Sequence, residues 1–102
     1  MRIKKEIRIL GIDDSNFTRE DIKVLVVGAL VRGGFWIDGV VSTHVERDGL
    51  DATEKITKMI LKARYKDLRA IMLKGITIAG FNLVDIEKLN QDTGLPVVVV
   101  MR

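Results

Sequence analysis

Two adjacent carboxylates, Asp13 and Asp14, end an apolar run that reads Arg-Ile-Leu-Gly-Ile-Asp-Asp-Ser over residues 8–15. A strand alternates its side chains, so Asp13 continues the row Ile7, Ile9, Gly11, while Asp14 continues Leu10 and Ile12. An acid that extends an apolar row sits at the rim of a core. It needs a partner there, either a hydrogen-bond donor or a metal ion. Asp-Asp-Ser is equally a turn opening, because both residue types bond their own backbone. The remaining candidates are dispersed: Asp48 and Asp51, Lys74, Gly75, Thr77, Asn82 and the sole histidine, His44. One histidine allows no multi-histidine site, and the absence of cysteine excludes thiolate ligands and disulfides.

The elements that must position these groups follow from periodicity. Residues 3–12 read as a first strand and 13–21 as a polar connection. Residues 22–32 form a second strand whose two faces are both apolar, a pattern of burial on both sides of a sheet. Gly33-Gly34 permits a tight hairpin into a third strand, 35–46, with Asp38-Gly39 as a bulge and His44 as a sheet-face residue. The Arg32-to-Trp36 hairpin has a basic, aromatic look, yet reads as a turn with two rings packed on the sheet. Asp51-Ala-Thr-Glu54 is a capping-box pattern, and Ala52, Ile56, Met59, Ile60 and Ala63 repeat at the helical period. A short fourth strand spans 68–73, and 74–80 is a loop with glycines near both ends. Asn82 is expected to cap a second helix through Leu83, Ile86 and Leu89, which Gly94 ends. Residues 96–101 make a fifth, apolar strand.

The order is strand-strand-strand-helix-strand-helix-strand, an α/β chain with a five-stranded mixed sheet. Hairpins make the first three strands antiparallel, and helical crossovers make the fourth and fifth parallel. If the fourth strand lies parallel beside the first, the result is a half-open sheet of the ribonuclease H-like kind, by fold analogy. Asp13 and Asp14, Asp48 and Asp51, and the 74–82 loop then meet at the carboxyl ends of parallel strands, where open α/β sheets bind ligands. Trp36 falls at the opposite edge. The loop lacks a Walker or dinucleotide pattern, although a loop before a helix start can offer N–H groups to phosphate.

At 102 residues, 47% apolar and 30% charged, the chain is expected to be one globular domain over residues 1–102. It has neither a signal-peptide pattern nor a run of about eighteen apolar residues. A soluble, cytoplasmic protein with no membrane partner is therefore expected. A net charge of +3 permits nucleic acid as a partner without demanding it.

Five stretches carry a family resemblance: RILGIDDSNF at 8–17, VLVVGALVRGGFWIDGVVST at 24–43, DGLDATEKITKMI at 48–60, IMLKGITIAGFNLVD at 71–85 and TGLPVVVVMR at 93–102. In these the sequence resembles the archaeal endonuclease dU-like family, once a domain of unknown function and related to endonuclease V. The resemblance implies a ribonuclease H-like fold and a magnesium-dependent endonuclease acting on deaminated or damaged DNA bases, with uracil-containing DNA foremost. Carried over by position, it implies Asp13 and Asp51 as catalytic metal ligands with Asp14 beside them. Lys74, Gly75, Thr77 and Asn82 would then line the site's edge. Two departures stand out. The third acid of the endonuclease V pattern falls on Lys74, and its proline-tyrosine-isoleucine-proline wedge has no counterpart in 42–48. An ammonium in place of a carboxylate predicts a Lys74–Asp13 pair and weak magnesium binding. The alternative reading is a non-catalytic ribonuclease H-like module that binds nucleic acid or a partner chain. Family members continue well past the fifth strand, so the chain reads as the family's N-terminal part, incomplete at its C-terminal end. Residues 97–100 and the second strand should leave an apolar patch that drives symmetric self-association or pairing with a separately encoded remainder.

Overall fold

The computed structural model describes residues 7–33, 36–63, 65 and 67–100. The expected strand positions 3–6, 35 and 101, and Gly34 of the hairpin, lie outside the described residues.

Among the described residues, seven strands and two helices follow in the order β1 (Arg8–Asp14), β2 (Lys23–Arg32), β3 (Trp36–Glu46), α1 (Ala52–Ala63), β4 (Leu68–Leu73), β5 (Thr77–Ile78), β6 (Asn82–Leu83), α2 (Ile86–Thr93) and β7 (Val97–Val99). Five of them form a mixed sheet in the order β3-β2-β1-β4-β7, and β5 pairs with β6 as a separate two-stranded hairpin. The β1–β2 and β2–β3 ladders are antiparallel; β1–β4 and β4–β7 are parallel. The mixed sheet and its strand directions are those expected from the chain's hairpins and crossovers.

Register decides which side chains share a face. Leu10 stands opposite Leu30 and Ile71, Ile12 opposite Gly28 and Leu73, and Val24 opposite Val45. These are all buried, and the apolar side chains among them join Ile56, Met59 and Ile60 of α1 and Leu89 of α2 in the core. Both helices therefore lie against one side of the sheet. α1 buries Ala52, Ile56, Met59 and Ile60 at helical spacing, as its sequence period requires. α2 is capped by Asp85, which accepts from Lys88 N–H, and is ended by Gly94 in the left-handed conformation at φ 74°.

Among the described residues no helix covers the other side of the sheet. Leu25, Val27, Ala29 and Val31 of β2 are only partly covered, and Ile37 and Val40 of β3 are 68% and 61% exposed. The two apolar faces of β2 thus do not mean burial on both sides, as the sequence pattern implied. One face is sealed by helices and the other is left open. The apolar patch expected around β2 and β7 is present.

Three further expectations change. β1 runs on through Asp13 and Asp14, so the acids belong to the strand and not to the connection after it. Leu83 belongs to β6, and α2 begins only at Ile86, so Asp85 and not Asn82 is its cap. Trp36 is 66% exposed instead of packed. The bulge at Asp38 is formed: the β2–β3 register shifts beside Val31, and Asp38 bridges Arg8 and Arg32. Gly39 beyond it faces the Tyr65 hydroxyl, where a Cβ would lie 2.6 Å away, so the site takes only glycine without a shift.

Candidate functional site

Sheet pairing puts the carboxyl end of β1 beside the carboxyl end of β4, with Trp36 at the far edge. Arg8 pairs with Arg32 and Arg32 with Trp36, whereas Asp13 lies five residues further along β1, roughly 17 Å at about 3.4 Å per residue. The β4 exit carries Lys74 to Asp13, with Nζ 3.4 Å from Oδ2. Both side chains are more than half exposed, so the pair is worth at most about 1 kcal/mol. Asp13 Oδ1 also accepts from the Asp14 N–H at 2.9 Å.

Alternation within β1 then separates the two neighbouring acids. Asp13 is exposed on the bare face, while Asp14 continues the Leu10–Ile12 row on the helix-covered face and is half-buried. There its Oδ2 accepts from the Ala79 N–H at 2.6 Å, anchoring the segment between β5 and β6. A second carboxylate holds the same segment. Asp48 Oδ1 accepts from Phe81 N–H at 2.9 Å, and Asp48 N–H donates to Ala79 O at 2.8 Å. Asp48 and Ala79 adopt φ 56° and 51°, and Gly80 φ 85°, so this tight crossing is built from left-handed residues. A Cβ on Gly80 would collide with Asp48 Oδ1. Phe81 is left 81% exposed at its tip, and Leu50, just after Asp48, is 96% exposed.

Asp51 is the third anchored acid. It stands at the start of α1, its carbonyl accepting from Lys55 N–H, but its carboxylate looks back to the sheet. Oδ1 accepts from Glu46 N–H at 3.0 Å and from Asn82 Nδ2 at 2.8 Å. Asn82 is wholly buried and joins three segments: Oδ1 accepts from Ala52 N–H at 3.0 Å, and Nδ2 also donates to Glu46 O at 2.8 Å. An unpaired N–H of the first helical turn is thus satisfied by Asn82, while Glu54 pairs with Lys58. Burial raises the Asp51 carboxyl's affinity for a proton, but the Glu46 N–H and the Asn82 amide outweigh it, and the group ends below the ordinary carboxylate value.

The positions named from the sequence therefore do not act as one cluster. Asp13 lies on one face of the sheet; Asp14 and Asp51 are engaged by N–H donors on the other. Among the described residues no three Asp, Glu or His side chains converge as a metal-holding group. As arranged, the carboxylates do not fit a magnesium cluster, since one has an ammonium at its side and the others already accept from protein donors. Gly75 has an ordinary backbone and open space around it, so nothing there demands glycine or cradles a phosphate. Thr77 is exposed in β5, where it pairs with Leu83. His44 is exposed on the bare face. Asp48 was expected at this edge, but its part in holding the β5–β6 segment, like the structural part played by Asn82, escaped the sequence reading. Asp48-Gly49 before a helix marked a turn, but the partner lies more than thirty residues away.

Comparison with known proteins adds the family. The family model for endonuclease dU matches residues 5–102. A UPF0215 protein of Methanosarcina acetivorans is 58% identical over 101 residues, covering 98% of this chain and 50% of the relative. A UPF0215 protein of Pyrococcus horikoshii is 47% identical over 104 residues, covering 99% of this chain and 53% of the relative. The crystal structure of a protein of unknown function from Archaeoglobus fulgidus superposes with a TM-score of 0.82 at 47% identity, over 93% of this chain and 53% of that one. The chain spans about half the length of the relatives it matches.

Proposed function

Because the chain belongs to the endonuclease dU family, we propose that it forms a ribonuclease H-like core, akin to that of endonuclease V, of a protein that cleaves DNA at deaminated or damaged bases. Uracil-containing DNA is the first substrate to try, and such work would place the protein in the cytoplasm. The observation that carries the reading is Asp13, an exposed carboxylate at the carboxyl end of the central strand in the order β3-β2-β1-β4-β7. A ligand edge is expected at that point of an open α/β sheet.

In this chain by itself the edge is latent. Lys74 neutralises Asp13, and Asp14, Asp48 and Asp51 support the β5–β6 segment. This pattern also favours a second reading, in which the described residues bind nucleic acid or a partner without cutting. Magnesium at Asp13 would have to displace an ammonium from its carboxylate.

A nicking assay on a uracil-containing duplex, run beside a binding assay on the same duplex, tests both readings. The chain should nick at the margin of detection. Lys74→Asp replaces a positive charge with a negative one beside Asp13 and should raise magnesium affinity about tenfold, or about 1.4 kcal/mol. Robust cleavage by the unaltered chain would refute latency. No binding and no cleavage by either form would refute the nucleic-acid reading.

A further inference from the structure

We propose that the bare face of the five-stranded sheet is the docking surface for the half of the polypeptide by which the relatives exceed this region. The inference stands on the sheet and does not depend on any nuclease activity.

The face is continuous across the sheet. Ala29 and Val31 of β2 stand opposite Val40 and Ile37 of β3, and Met72 of β4 pairs with Val98 of β7. None of the six is buried, although the opposite face of β2 and β4 is sealed to within a few per cent. A contiguous apolar area of this kind marks a surface that is covered in the working assembly. The parallel part of the sheet, β1-β4-β7, is of the kind that characteristically has both faces packed, and here α1 and α2 take one side only.

Two observations choose the occupant. Relatives at 58% and 47% identity contain this region and about as many residues again. The Archaeoglobus fulgidus structure, which shares the sheet at a TM-score of 0.82, also has nearly half its chain outside the superposed part. A polypeptide of that size has an apolar sheet face available on the region it accompanies. The chemistry of the face agrees. Its centre consists of leucine, isoleucine, valine, alanine, glycine and methionine without a lysine or arginine, which suits apolar side chains and not phosphates. Asp13 and Lys74 stand at the carboxyl rim of the same face, so the docked half would border the candidate edge and bring its own side chains there.

The chain has no cysteine, so single cysteines report accessibility cleanly. Val40→Cys marks the bare face, and Lys58→Cys marks the exposed side of α1. Each is compared in the 102-residue chain and in a chimera where these residues replace the matching part of the Methanosarcina acetivorans relative. Maleimide labelling at position 40 should slow at least tenfold in the chimera, while position 58 stays unchanged. Equal rates at position 40 overturn the proposal. They do so if both are fast, and also if both are slow because the isolated chain is a dimer in light scattering. If the chimera fails to fold, the full-length relative and its matching 101 residues, labelled at the aligned positions, give the same comparison.

Discussion

Asn82→Ala should be among the most damaging single changes in the molecule. The side chain is wholly buried and makes three bonds, to Ala52 N–H, Glu46 O and the Asp51 carboxylate. Two are neutral and worth about 1 kcal/mol each, and the charge-assisted one is worth about 1.5–3 kcal/mol. Truncation also leaves the Ala52 N–H without a partner where water has no ready access, while the Glu46 carbonyl keeps the Gly49 N–H. Some relaxation offsets the sum, so the expected loss is about 3–4 kcal/mol. Domains of this size are stable by about 5–15 kcal/mol, so the variant would be marginal. Urea unfolding measures the loss directly: with a slope of about 1.5–2 kcal/mol per molar, the midpoint should fall by roughly 2 M. A loss below about 1 kcal/mol would refute the view that Asn82 ties the start of α1, the end of β3 and the β5–β6 hairpin together.

Two further outcomes follow from the same corner. Gly80→Ala forces a Cβ against Asp48 Oδ1 at φ 85° and should cost about 2 kcal/mol or more in urea unfolding, whereas Gly75→Ala, in open space, should be within about 0.5 kcal/mol of the parent. The Asp51 carboxyl lies below its ordinary value in the folded chain, so its contribution is fully present above about pH 4, the unfolded value, and is lost as pH falls through the folded value. Asp51→Asn should therefore flatten the acid limb of a stability-against-pH curve, and an unchanged limb would contradict the hydrogen-bonded geometry.

Much of the sheet was legible because its signals are local. Glycines at 33 and 94 punctuate strand and helix, α1 shows its period, and β4 is a short apolar run between polar turns. The faces were harder to read. β2 is apolar on both sides whether or not anything covers the second, and composition alone cannot say that both helices pack on one side. The alternation that sends Asp13 and Asp14 to opposite faces was visible in the sequence, but its consequence, that the two acids cannot share a site, required the fate of each face. The β5–β6 hairpin, with strands of two residues each, is too short for any periodicity. Its anchors, Asp14, Asp48 and Asp51, act across about thirty to sixty-five residues of sequence, a distance over which residue type gives no pairing information.

The central claim is that the edge carboxylates are engaged by protein donors and by Lys74 instead of forming a cation site. Magnesium titration of the 102-residue chain, followed through the amide resonances of Asp13, Asp14, Asp51 and Ala79, tests it most directly. The account predicts no saturable shift at these amides up to about 10 mM, beyond the range of even weak dedicated protein sites for divalent cations. Saturable shifts at Asp13 together with Asp14 or Asp51, with a dissociation constant below about 1 mM, would contradict it.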